Sequence, residues 1–106
     1  QKYEEAAGTQ LKFRYSDKAE AIEEISMAHR HKEALEAIDA LIAAEPEDGR
    51  NHFLRASILY KLDLYDEAIK ALKKCLKMKA FDADYIKLEI DRLKELKSIR
   101  FGDGTD

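Results

Sequence analysis

Residues 65–69, Tyr65-Asp66-Glu67-Ala68-Ile69, stand 34 positions after His31-Lys32-Glu33-Ala34-Leu35. The same offset sets Ile25 on Leu59, Ile38 on Leu72, Leu41 on Cys75 and Ile42 on Leu76. Acid meets acid at Glu33 and Glu67, and alanine meets alanine at Ala34 and Ala68. A constant period of roughly 20–50 residues is the mark of a stacked-repeat fold. Two copies are present.

Within each copy the apolar spacing is helical. Leu35, Ile38, Leu41 and Ile42 share one helix face, as do Ile69, Leu72, Cys75 and Leu76. Upstream, Ile22, Ile25 and Ala28 form one stripe, and Ala56, Leu59 and Leu62 form its counterpart. Short breaks separate the stripes, at Ala28-His29-Arg30-His31 and at Leu62-Asp63-Leu64-Tyr65. Each copy therefore reads as helix–turn–helix. Pro46 closes copy one, because it lacks an N–H and its ring clashes with a continuing helix. Asp48 or Asn51 then caps the next helix by accepting its unpaired N–H groups.

One more helix follows, with Asp82 or Asp84 as its cap. Its apolar residues are Tyr85, Ile86, Leu88, Ile90, Leu93 and Leu96, interleaved with charge. Ile86, Ile90, Leu93 and Lys97 lie on one stripe and leave a broad charged face, as a terminal capping helix requires. At the other end, Gln1 to Ala7 reads as helical until Gly8-Thr9 interrupts it. Leu11, Phe13 and Tyr15 then alternate like a half-buried strand that has no partner to pair with. The expected organisation is an arm or remnant of a larger chain at 1–14, repeats at 15–48 and 49–82, a capping helix at 83–100 and a fraying tail at 101–106. The fold class expected is all-α, a short solenoid of helix–turn–helix repeats.

These residues resemble the tetratricopeptide repeat, whose period is about 34 and whose small residues sit where paired helices cross. The family's small positions fall on Ile22 and Ala56, on Ala34 and Ala68, and on Leu41 and Cys75. Its aromatic after the turn matches Tyr65, with His31 in copy one. The large residue of the second helix is Ile38 and Leu72, and the closing proline is Pro46, with Ala80 in copy two. Departures are His29 and Asp63 in place of the turn glycine, Lys18 and His52 in place of an aromatic, and Ile22 in place of a small residue.

The resemblance implies a superhelix whose first helices line a concave groove for an extended peptide or a partner's helix. Carried over by position, the groove residues are Ala19, Glu20, Glu23, Ser26 and Met27 from copy one. Copy two supplies Arg50, Phe53, Leu54, Ser57, Tyr60 and Lys61, aromatic anchors with cationic flanks. The competing reading has Phe53 and Leu54 packed on a neighbouring element such as the N-terminal arm. One subfamily grips acidic chaperone tails through basic groove residues. Glu20, Glu23 and Leu54 stand at those positions here, with only Arg50 basic, which argues against such a clamp.

Composition excludes several classes. At 106 residues the chain holds at most one domain, since a typical domain takes roughly 100–200. With 45% hydrophobic and 39% charged residues, one proline and four glycines, it favours helices with short connections over a sandwich or barrel. The longest uncharged apolar stretch, Ala40 to Ala44, is five residues, against roughly 20 for a membrane span. A net charge of −3 makes no case for nucleic acid. Beginning at Gln1, the chain is expected to be a fragment, a processed chain or a trimmed one. No targeting segment is visible, so the expected location is cytoplasmic unless one has been removed ahead of Gln1.

Nothing in the sequence argues for catalysis or a cofactor. His29 and His31 lack a third metal ligand nearby. Cys75 falls on a core stripe, where a thiol behaves as a small hydrophobe. The pairs Glu4-Glu5 and Glu23-Glu24 point apart on a helix, and Asp103-Gly104-Thr105-Asp106 lacks the distal glutamate of a calcium loop. Charge is uneven: Lys32 to Glu45 holds one base and four acids, whereas Asp66 to Lys79 holds five lysines and two acids. The sequence thus leads to a non-catalytic protein–protein interaction module binding a peptide or helix in its groove. The alternative is a self-assembly module, a homo-oligomer formed through the exposed repeat edge. Two repeats fall short of the usual three or so, so an arm, a cap or a second copy must complete the core.

Overall fold

The computed structural model describes residues 14–102. The arm readings at residues 1–13 and the tail reading at 103–106 lie outside the described residues. Five helices follow one another: α1 (Asp17–Met27), α2 (His31–Ala44), α3 (Arg50–Lys61), α4 (Tyr65–Lys77) and α5 (Ala83–Phe101). Each packs on the next, and α1 also touches α3. The protein is all-α, in the adjacent-pair arrangement of a helical repeat. Among the described residues there is no strand, and no helix is long and apolar enough to cross a membrane.

The 34-residue period is written in the backbone. After α1, the His29 N–H donates to the Ser26 carbonyl and the Arg30 N–H to that of Ile25. After α3, Asp63 donates to Tyr60 and Leu64 to Leu59, the same bonds 34 residues on. After α4, Lys79 donates to Leu76 and Ala80 to Cys75. All three ends are Schellman turns, which satisfy carbonyls that the helix leaves unpaired. The left-handed residue each requires is not glycine: φ is 67° at His29, 63° at Asp63 and 57° at Lys79.

Helix starts repeat as well. The Asp48 carboxylate accepts the Arg50 N–H at 3.1 Å, and the Asp82 carboxylate accepts the Asp84 N–H at 2.8 Å. Of the residues the sequence named, Asp82 is the N-cap of α5, while Asp48 stands one residue before Gly49, the N-cap of α3, and its carboxylate accepts only the first N–H of that helix. Asn51 is wholly buried instead, and its side-chain amide makes no hydrogen bond among the described residues. Ser16 caps α1 by accepting the Ala19 N–H.

Two apolar clusters form the core, and α3 belongs to both. Leu54 and Ile58 join Ala19, Ile22, Ala34, Ile38 and Leu41 in the first cluster. Ala56 and Leu59 join Ala68, Leu72, Cys75, Ile86, Ile90 and Leu93 in the second. Full burial of a leucine or isoleucine contributes about 1.5–3 kcal/mol, so Leu54 and Ile58 tie the two helix pairs together. Ala34 and Ala68, both fully buried, occupy the same register in the two pairs.

The last helix departs from the repeat rule. By register, Leu88 matches the buried Leu54, yet Leu88 is 66% exposed. α5 turns Ile86, Ile90 and Leu93 onto the second cluster instead, the stripe read from the sequence. Its outer face is less polar than a broad charged one, because Leu88 and Ile99 stand exposed among the charges.

Candidate partner-binding surface

The residues named for a groove separate into three groups. Phe53, Ser57 and Tyr60 project from α3 into a cleft of about 220 Å³ that faces α5. Its opposite wall is Tyr85, Glu89 and Arg92, and its floor is Ala56, Leu72 and Leu93. Ser26, Met27, Tyr60 and Lys61 border a second cleft of about 380 Å³ together with Tyr65 and Arg100. Tyr60 lines both, so the two clefts meet at its ring.

The remaining residues lie elsewhere. Leu54 is 1% exposed, buried against Ile38 and Leu41, so it belongs to the core and faces no partner. Glu20, at the same register 34 residues earlier, is exposed on the matching face of α1 and lines neither cleft. Glu23 is half-buried; it raises the phenol pKa of Tyr15, though burial of that ring raises it more. Arg50 turns back on Asp48 through two nitrogens, at 2.8 and 2.7 Å, and donates to the Arg14 carbonyl at 2.6 Å. That bidentate grip lowers the Asp48 pKa, and Arg50 serves as a corner brace. Ala19 is buried in the core, whereas the buried Ser26 belongs to the second cleft, its hydroxyl 2.9 Å from His31 Nδ1.

Aromatic contacts organise the first cleft. Phe53 meets Phe81 edge-on at 5.8 Å, and Phe81 meets Tyr85 at 5.2 Å. Tyr60 and Tyr65 pack edge-on at 5.6 Å. The Arg92 guanidinium lies 5.6 Å from the Tyr60 ring centroid while pairing with Glu89 at 2.8 Å. Glu89 raises the Arg92 pKa, so the cation over the ring stays charged.

The sequence placed Tyr85 and its charged neighbours Glu89 and Arg92 on a capping helix and not at the binding surface. The available signal was an aromatic at the start of α5 lying off the Ile86-Ile90-Leu93 stripe.

Elsewhere, Cys75 is fully buried, and burial pushes its thiol pKa up to about 11, away from nucleophilic use. The His29 and His31 rings meet edge-on at 5.9 Å. Among the described residues no three His, Cys, Asp or Glu side chains come together as metal ligands. Compared with known proteins, the chain matches no protein-family model, no curated protein and no solved structure.

Proposed function

We propose that this chain is a non-catalytic protein–protein interaction module of tetratricopeptide-repeat type. It takes an extended peptide or short helix of a protein partner along the furrow between α3 and α5. One observation carries the reading: an aromatic furrow with an arginine wall, Phe53, Tyr60 and Tyr85 beside Arg92, opens on the first helix of a 34-residue helical pair. Tyrosine and arginine, with tryptophan, are the side chains most enriched in interface hot spots. The 220 Å³ cleft is below the roughly 300–1,000 Å³ usual for small-molecule sites. It suits an apolar anchor side chain of a peptide, with Glu89 and Arg92 meeting the backbone or flanking charges. The reading puts the module in the cytoplasm, where a lone thiol such as Cys75 stays reduced.

The test is capture of a displayed peptide library by the wild-type chain, by Phe53→Ala/Tyr60→Ala and by Ser57→Trp. The first variant removes the anchors' receptors and the second fills the cleft. Both are expected to lose the peptides that the wild type enriches, while circular dichroism shows unchanged helix. Equal capture by all three folded proteins would exclude the furrow as the binding site.

A further inference from the structure

A second surface shares no residue with the furrow. Lys70 and Lys73 on α4 face Lys94 and Lys97 on α5 across a cleft of about 520 Å³. The one carboxylate lining it, Asp66, is taken by Lys97 at 2.6 Å. Among the described residues, Lys70, Lys73 and Lys94 have no ion-pair partner. Ile69, nearly buried, forms part of the wall. Crowded like charges destabilise the lone chain, and an anionic occupant relieves them.

The complementary surface is on the same molecule. Residues 14–48 hold ten acids and four lysines or arginines, a balance of −6. Residues 49–102 hold eight acids and thirteen lysines or arginines, a balance of +5. On α1, Asp17, Glu20 and Glu24 are exposed at helical spacing on one face, without ion-pair partners among the described residues. By register Glu20 and Glu24 match Leu54 and Ile58, the residues that α3 buries in the first cluster against α2. The face of α1 on which a preceding helix pair would sit is therefore acidic where the equivalent face of α3 is apolar.

We propose that a second copy of this chain joins the first head to tail, its acidic α1 face seated in the lysine cleft between α4 and α5. Such a contact pairs two different patches, so it is heterologous and propagates. It carries the helical stack forward with ion pairs in place of the apolar contact that joins α3 to α2. Being built from exposed charges, it is weak and salt-sensitive. The proposal stands apart from the furrow reading and shares no residue with it.

Sedimentation velocity over a range of protein concentrations tests it, at about 0.01 M and about 1 M salt, where the screening length is about 30 Å and about 3 Å. In low salt the wild-type coefficient is expected to rise with concentration, and in high salt to stay at the monomer value. Lys73→Glu/Lys94→Glu and Glu20→Lys/Glu24→Lys each replace attraction by repulsion. Each alone is expected to associate about tenfold more weakly or worse, while an equimolar mixture of the two associates again. That rescue also shows both variants to be folded. A wild type that stays monomeric in low salt overturns the proposal, as does a mixture that fails to associate. So does a monomeric wild type that binds an oligoglutamate peptide, since the cleft then serves an acidic segment of another protein.

Discussion

Gly49 opens α3 against the turn that follows α4. A Cβ at this position would lie 2.9 Å from the Cβ atoms of both Ala80 and Met78. Its φ is −64°, ordinary for any residue, so space and not backbone freedom excludes a side chain. Neither neighbour is the far end of a flexible side chain, so the strain of Gly49→Ala must move backbone. Overpacking of this kind costs about 1–3 kcal/mol. The stiffer unfolded chain returns about 0.4–1 kcal/mol. A net loss centred on about 1.3 kcal/mol is expected, read as a lower urea midpoint at unchanged slope. Stability equal to wild type would refute the close approach. This residue was not legible in the sequence, because its neighbours lie about thirty positions away and the residue at the same register in the next unit is Ala83. The candidate site was half legible for a related reason. Phe53 and Leu54 are adjacent and both large and apolar, but point about 100° apart on a helix. Only packing reveals that α3 has core on two sides, which takes Leu54 inward and leaves Phe53 on the furrow.

Helices and turns were far more legible, because the apolar period and the breaks between stripes are local signals. The breaks at 28–31 and 62–65 hold the turns at His29 and Asp63. What the pattern did not convey is that the left-handed step survives without glycine. A residue with a Cβ pays roughly 1–2 kcal/mol to adopt that conformation, and glycine adopts it freely. Lys79 offers the cleanest test, since it is exposed and has no ion pair among the described residues. His29 packs on His31, and Asp63 pairs with Arg100 at 3.1 Å, so changes there remove a contact as well. Lys79→Gly is expected to stabilise the protein by about 0.5–1 kcal/mol after the entropy of the freer unfolded chain is subtracted. Calorimetry should show a melting temperature higher by about 2–5 °C. Lys79→Ala, which keeps the Cβ, should show no such gain. A melting temperature unchanged by glycine would mean that the turn carries no strain.

In the molecule as a whole, α3 decides whether two helix pairs behave as one body. Stacked-repeat stability is the sum of what each unit contributes and what each interface adds. Here the interface between pairs runs through Leu54 and Ile58, which α3 buries in the first cluster, while Ala56 and Leu59 face the second. The first cluster has few large residues of its own, so α1 and α2 depend on that contact more than α4 and α5 do. The second cluster holds Leu59, Leu72, Ile86, Ile90 and Leu93, and it does not use Leu54 or Ile58. Wild-type unfolding is therefore expected to be a single transition, coincident by circular dichroism and tyrosine fluorescence. Ile58→Ala removes about 2–5 kcal/mol of that contact and separates the two halves. Hydrogen exchange should then speed in α1 and α2 by a large factor while α4 and α5 keep most of their protection. Uniform loss of protection across all five helices would show instead that the core is indivisible. Two transitions in the wild type would show that the interface never coupled the pairs.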